Sequence, residues 1–242
     1  YNIKVKDRVL LSNEIAFEVD NLGDPTNQQS FFVNGMDTKT SGLDIVANYK
    51  NIEIGNGKLG INFSGNYTFT NERDGDVKDP ESVKNLTGVL SGQTVIDATQ
   101  EALLFTSRPK FKYILGGDYE IGKFGFSLNN TVFGPTKFKN AGLSNDLRVE
   151  FLTKVVTDLG VTFSATDKLT IAANINNLLN VLPEWQFKAE NSNGTAIINN
   201  PVAIKEQSDL ITFNQRYSQM TYDGYHFSQL GTMFNLSLNY KF

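Results

Sequence analysis

The sequence predicts an all-β protein, an antiparallel up-and-down transmembrane β-barrel. Three observations lead to this fold class. The last ten residues alternate between apolar and polar side chains, the same alternation recurs along the chain, and short and long connections follow one another in strict order. Because the side chains of a strand point to opposite faces in turn, each alternating segment offers one face to lipid and the other to water.

The first four strands are predicted near 1–11, 39–53, 58–70 and 108–121. Their apolar sides carry, in order, Tyr1, Ile3, Val5, Val9 and Leu11; Leu43, Ile45, Ala47 and Tyr49; Leu59, Ile61, Phe63, Tyr67 and Phe69; and Phe111, Tyr113, Leu115, Tyr119 and Ile121. The opposite sides are rich in asparagine, threonine, lysine and acidic residues, with Thr68 and Thr70 on the polar side of the third strand. Such period-two alternation is typical of strands rather than helices.

The last four strands are predicted near 124–133, 149–165, 169–181 and 226–242. Their apolar sides carry Phe124, Phe126, Leu128 and Val132; Val155, Leu159, Val161 and Phe163; Leu169, Ile171, Ala173 and Ile175; and Phe234, Leu236, Leu238, Tyr240 and Phe242. The final strand ends on an aromatic residue, as the closing strand of an outer-membrane barrel does. With the first four, this makes about eight strands.

The connections give a second, independent signal. Three are tight turns, at Gly55-Asn56-Gly57, Gly122-Lys123 and Thr166-Asp167-Lys168, built from residues that favour hairpin turns. The long connections are 12–38, 71–107, 134–146 and 183–224. In an up-and-down meander this order places every short turn at one end. Bacterial outer-membrane barrels have short periplasmic turns and long extracellular loops, so we expect the carboxy-terminus in the periplasm.

Composition excludes several other classes of protein. The chain has 242 residues, a net charge of −4, no cysteine and one histidine, His226. It contains no uninterrupted apolar stretch of the roughly 18–20 residues that a membrane-spanning helix needs. No basic cluster indicates nucleic-acid binding. No convergent set of ligands or catalytic groups accompanies His226, so we expect no cofactor, no metal and no enzymatic activity.

A soluble β-sandwich is the alternative all-β interpretation, since its strands also alternate. Two features favour the membrane barrel. Aromatic residues concentrate toward strand ends, as expected where rings settle at the depth of lipid headgroups. The polar faces consist mostly of small and amide-bearing residues, which suit a wall in contact with water.

The longest connection, 183–224, carries the candidate substrate-binding residues. These are Trp185, Arg216, Tyr217 and Tyr222, followed just beyond it by Tyr225. Aromatic rings with one arginine could hold a sugar, a peptide or a metal chelate by stacking and bidentate hydrogen bonds. The alternative is that the rings fold the connection onto itself or lie at the membrane rim.

Four segments together resemble a known family. They are the opening YNIKVKDRVLL, the Gly42-Leu43-Asp44 start of the second strand, the run from Asn174 to Asn180, and the terminal Phe242. In their order and spacing they resemble the carboxy-terminal part of a TonB-dependent outer-membrane transporter of the Bacteroidetes style. The family run usually reads Asn-Leu-Phe followed by Asp or Asn and then Tyr-Pro. Here Leu179 replaces the phenylalanine and Leu182 precedes Pro183.

The resemblance implies a larger protein with a signal peptide, a TonB box, a plug domain of about 150 residues and a barrel of about 22 strands. This chain would supply the last eight strands, without the plug. The implied function is uptake of a scarce nutrient such as a ferric chelate, cobalamin, a glycan or a peptide. The implied partners are the remaining strands and plug, TonB-ExbB-ExbD through the plug, the barrel-assembly machinery, outer-membrane lipid and a possible surface lipoprotein.

Two further expectations concern assembly. Phe234, Leu236, Leu238, Tyr240 and Phe242 are expected to form the carboxy-terminal signal for barrel insertion. A complete eight-stranded barrel with a structural or adhesive role is the alternative to a fragment. An eight-stranded barrel has an interior filled by packed side chains, whereas the small polar residues of this chain suit a wide, wet wall, so we favour the fragment.

Overall fold

The computed structural model describes residues 2–12, 31–75, 98–139, 142–211 and 227–242. The elements in chain order are β1 (Asn2–Ser12), β2 (Phe31–Ile54), β3 (Gly57–Arg73), α1 (Ala98–Phe105), β4 (Phe111–Ile121), β5 (Phe124–Phe133), β6 (Thr136–Phe138), β7 (Leu147–Phe151), β8 (Lys154–Ser164), β9 (Leu169–Asn176), β10 (Trp185–Ala189), α2 (Ser192–Ile198), α3 (Pro201–Ile211) and β11 (Met233–Tyr240). No helix in these ranges is long and apolar enough to cross a membrane.

Eight strands form one antiparallel sheet in the order β1-β2-β3-β4-β5-β8-β9-β11. The meander is the predicted one, which confirms the all-β fold class. The sheet is open, because β1 and β11 lie at its two edges and each pairs on one side only within the described residues. Closure of these eight strands on themselves, the alternative expected from sequence, is therefore not what the structure shows.

The three predicted hairpin turns join β2 to β3, β4 to β5 and β8 to β9. Ile54 pairs with Gly57 across a two-residue turn, and Gly55 has a φ of 59°. The second turn has the same length, with Gly122 at a φ of 56°. Glycine is favoured at both positions because positive φ costs it nothing sterically. All three turns lie at one end of the sheet, and the long connections leave from the other.

The sheet has an apolar face and a polar face, and both are exposed within the chain. On the apolar face of β11, Phe234, Leu236 and Leu238 are 78, 73 and 67% exposed. Leu128 of β5 is 43% exposed on the same face. A soluble sandwich would bury such side chains together in one core. Apolar side chains left outward along a whole sheet are instead those of a barrel wall in lipid.

The two faces lead to a matched pair of substitutions in β11. Leu236→Arg should reduce the folded fraction of the protein in membranes several-fold, since an arginine on the lipid face costs roughly 2–4 kcal/mol at the bilayer midplane. Ser237→Arg, one residue along on the polar face, should leave that fraction close to the native level. Heat-modifiable migration in gels measures the folded fraction. Equal losses for both variants would contradict the assignment of the two faces.

Several boundaries differ from those expected. The strand predicted over 149–165 is two strands, because Leu152 leaves the first to donate its N–H to the Glu184 carbonyl and the second joins the large sheet. The strand predicted over 39–53 begins earlier, at Phe31. The strand predicted over 169–181 ends at Asn176, because Asn177 has a φ of 53°. The strand predicted over 226–242 spans Met233–Tyr240 in the described residues.

The connections predicted as long loops also contain regular structure. α1 lies within 71–107, β6 within 134–146, and β10, α2 and α3 lie within 183–224. β10, β7 and β6 form a separate three-stranded sheet in that order. We call this sheet together with α1, α2 and α3 the cap. The cap lies beyond the end of the large sheet that is opposite the hairpin turns.

Candidate functional site

The polar face of the large sheet is a surface of carboxylates, amides and hydroxyls. Cross-strand neighbours are joined there by side-chain hydrogen bonds. Asn66 Nδ2 donates to Asp44 Oδ1 at 2.5 Å, and Asn62 Nδ2 donates to Asp118 Oδ2 at 3.3 Å. The register places each pair on adjacent strands, either directly opposite or diagonally. These bonds hold the side chains close to the sheet, so the face presents fixed donors and acceptors.

Glycines make this face flat and give it a shallow hollow. A Cβ at Gly116 would collide with the amides of Asn62 and Asn129, and one at Gly125 would lie 2.5 Å from Thr162 Oγ1. A hollow of about 390 Å³ crosses β2, β3, β4, β5, β8 and β9 in the half of the sheet nearest the turns. It is lined by Lys50, Asn51, Lys58, Leu59, Gly60, Asp118, Glu120, Gly125, Phe126, Ser127, Gly160, Thr162 and Asn174. Such a wall can accept another polar surface or polypeptide backbone at close range.

A register shift in the β2–β3 pairing, near Phe69, lies where the large sheet meets the cap. Gly42 pairs with Thr68 but Ser41 pairs with Thr70, so Phe69 is an extra residue in β3. Beyond this bulge, Asn71 lies beside Thr40, whose Oγ1 lies 3.0 Å from Asn71 Oδ1. A bulge of one residue reverses the alternation of faces. Asn71 therefore joins the polar face, and the predicted placement of Thr70 on that face is wrong.

Asn71 then binds the carboxyl end of α1. Its Nδ2 donates to the Leu104 carbonyl at 3.0 Å, one of the carbonyls that a helix end leaves without a partner. Thr106 continues the link, because its Oγ1 donates to the Lys137 carbonyl at 2.7 Å and the Lys137 N–H donates back to Thr106 O. This chain of hydrogen bonds runs from the barrel strand through α1 to the edge of the cap sheet.

A hydrophobic core holds the cap together. It consists of Ala102, Phe138, Leu143, Val149, Phe151 and Ile211, all less than a tenth exposed, with Trp185 and Phe187 packed against it. Its members come from three connections that are far apart in sequence. Among predicted binding residues, Trp185 is half-buried here and meets Phe187 edge to face at 5.3 Å. Arg216, Tyr217, Tyr222 and Tyr225 lie outside the described residues, and their binding role stays a prediction.

The run Asn174 to Asn180 forms a tight corner at the end of β9. Asn177 is 6% exposed, and its amide donates to the Val181 carbonyl at 2.7 Å while accepting from the Val181 N–H at 2.8 Å. The Asn177 N–H donates to Asp158 Oδ1 on β8. Thr232, just before β11, donates its hydroxyl to the Asn177 carbonyl. The corner thus ties β8, β9 and the start of β11 at the cap end.

A charged cleft of about 460 Å³ lies between the end of β3 and the cap. It is lined by Asn71, Glu72, Arg73, Glu101, Ala102, Phe105, Thr106, Lys137, Phe138, Lys139, Arg148 and Glu190. Sequence reasoning missed it, because its walls come from five segments whose meeting no local pattern reveals. Within the described part of the chain, no three His, Cys, Asp or Glu residues are grouped to hold a metal ion.

A comparison with protein families agrees with this geometry. The family described as TonB dependent receptor-like, beta-barrel matches residues 1–178, which is more than half of the chain. The chain belongs to the TonB-dependent receptor β-barrel family. No curated protein and no solved structure matches it.

Membership assigns the receptor to the outer membrane, which it meets with the apolar face of its strands. The family comprises receptors and transporters rather than enzymes, acts in nutrient uptake in general, and works with a plug inside the barrel and with TonB. The polar face is accordingly the surface toward the barrel interior. The cap then lies over one mouth of that interior.

Proposed function

We propose that this chain forms part of the wall and the outer loops of a TonB-dependent transporter that imports a scarce nutrient. Candidate nutrients are a ferric chelate, cobalamin, a glycan and a peptide. The observation that carries the proposal is the open, two-faced sheet: one face is continuously apolar, and the other is flat, polar and hydrogen-bonded. Further strands and a plug would complete the barrel, since both β1 and β11 have an edge to pair.

Uptake by cells tests this proposal. Deleting the gene for the full-length receptor should abolish growth on the limiting nutrient, and deleting TonB should have the same effect. The double deletion should be no worse than either single one, because both act in one route. Growth of the receptor deletion equal to that of the parent on every nutrient class named above would contradict an import role.

The proposed orientation has the hairpin turns and the carboxy-terminus in the periplasm and the cap outside the cell. The arrangement of short turns at one end supports it. The chain contains no cysteine, so single cysteines can report the side. A membrane-impermeant maleimide added to intact cells should label Val202→Cys on the exposed side of α3 and leave Asp167→Cys in the β8–β9 turn unlabelled until the cells are lysed. The opposite pattern would reverse the orientation.

The proposed partners follow from the same arrangement. Phe234, Leu236, Leu238, Tyr240 and Phe242 would form the signal read by the barrel-assembly machinery, and their outward exposure in β11 supports this role. TonB-ExbB-ExbD would act through the plug, and a surface lipoprotein could cover the cap. Trp185, Arg216, Tyr217, Tyr222 and Tyr225 remain the proposed substrate contacts on the outer side, with Trp185 held by the cap core.

A further inference from the structure

The charged cleft contains acidic and basic side chains that do not all form close ion pairs within the protein. Arg73 Nη1 and Glu101 Oε1 face each other across it at 3.9 Å, and their side chains are 36 and 48% exposed. That distance is too long for a hydrogen bond, so both groups keep capacity for a ligand. Lys137 on β6 is exposed and makes no ion pair within the described part of the chain.

Two further cations of the cleft have partners in the protein, whereas Glu72 is exposed and makes no ion pair within the described residues. Arg148 forms a close ion pair with Glu190, and Lys139 Nζ donates to the Asn145 carbonyl at 3.0 Å. These contacts hold the Arg148 and Lys139 side chains in place at the side of the cleft. The floor between the two sets is apolar, because Ala102 and Phe138 are buried members of the cap core. The available groups are therefore two cations, Arg73 and Lys137, and two carboxylates, Glu72 and Glu101, beside an apolar floor.

We propose that this cleft binds a short peptide by its free termini. Arg73 and Lys137 would hold the carboxylate, and Glu101 would hold the ammonium group. A ligand with both charges would separate the weak Arg73–Glu101 pair and give each partner a direct charge-assisted hydrogen bond. The apolar floor would take an aliphatic side chain. The inference rests on the proposed import function and deepens it, by naming the class of substrate.

A purely anionic ligand fits the same groups less well. It would satisfy the two cations but bring a second negative charge beside Glu101, which would then lose its nearest cation. A neutral sugar would leave all four charges without an ionic partner in the ligand. A zwitterion is the ligand that compensates both signs, which is why the peptide is favoured over the other nutrient classes.

The experiment uses the purified full-length receptor and the tripeptide Ala-Leu-Ala in three forms. One form has free termini, one is N-acetylated and one is C-amidated. Isothermal titration calorimetry should show binding of the free form and about tenfold weaker binding of each capped form, the loss expected for one charge-assisted contact. Arg73→Gln should reduce the effect of amidation, since Lys137 still faces the carboxylate, and Glu101→Gln should reduce the effect of acetylation.

Matched controls at the other end of the sheet are Lys168→Gln and Glu53→Gln, which should bind all three peptides as the native receptor does. No binding of the free peptide, equal binding of the three forms, or equal effects of cleft and control variants would overturn the proposal. Insensitivity to acetylation alone would also overturn it, because the cleft would then take an anion. If any of these results were found together with TonB-dependent uptake of a different nutrient, the import function would stand. Only the peptide as its substrate would be rejected.

Discussion

Replacing Phe138 with alanine is expected to unfold the cap while leaving the barrel strands folded. Phe138 is 1% exposed and lies at the centre of the cap core. Removing a buried phenylalanine ring typically costs about 3–5 kcal/mol. Within the described residues this core has six buried members, most of them in short elements, and so small a core has little stability to spare. The large sheet has its own cross-strand hydrogen bonds and does not depend on that ring.

Limited proteolysis of intact cells measures this outcome. The Phe138→Ala receptor should be cut within 134–211 at protease concentrations that leave the native receptor whole, while its heat-modifiable migration stays native. Phe138→Leu is the control, because it keeps most of the apolar volume and should resist cleavage nearly as well as the native residue. Loss of heat modifiability in Phe138→Ala would show that cap and barrel fold as one unit.

Asn177→Ala is expected to lower the thermal midpoint of the folded receptor markedly. The substitution removes both side-chain hydrogen bonds to Val181, each worth about 1 kcal/mol, and places alanine at a φ of 53°. Alanine in the left-handed region costs roughly 1–2 kcal/mol more. The sum, about 3–4 kcal/mol, falls on the corner that ties β8, β9 and the start of β11.

The matched variant Asn177→Gly separates the two causes. Glycine adopts a φ of 53° without strain but also loses the amide, so its midpoint should lie between those of the native and alanine receptors. The temperature at which the folded band disappears from gels gives all three values. Glycine and alanine receptors with the same midpoint would mean that backbone strain contributes nothing at this corner.

The sequence was informative where structure depends on neighbours along the chain. Alternation of apolar and polar side chains is a pattern between neighbouring residues and can be read along the chain, as in β3, β4, β5, β8, β9 and β11. The eight membrane strands could therefore be predicted in number and order. The turn at Gly122 could be predicted because glycine is favoured in tight hairpin turns, and in the structure Gly122 has a φ of 56°. Membership in the TonB-dependent receptor family was likewise visible from four segments taken together, of which the opening YNIKVKDRVLL and Gly42-Leu43-Asp44 lie within the matched residues 1–178.

The cap could not be predicted because its elements depend on distant partners. β6 has three residues and β7 and β10 have five each, too few to show a clear alternation. Trp185 was noticed as the single tryptophan, but its packing against Phe187 and the core needed coordinates. The same holds for Arg73 and Glu101, which lie on β3 and α1 and come within 3.9 Å of each other beyond the bulge at Phe69.

We propose that substrate contacts lie in the cap. Because its core is built from three connections, exchange of a single one between relatives should rarely transfer ligand preference. α1 supplies Ala102, the β5–β8 connection supplies Phe138 and Phe151, and the β9–β11 connection supplies Ile211. A foreign version of any one of them would meet side chains shaped for a different neighbour. Grafting all three connections together preserves those contacts, so divergence of specificity in such receptors would proceed by coordinated change of the whole outer assembly.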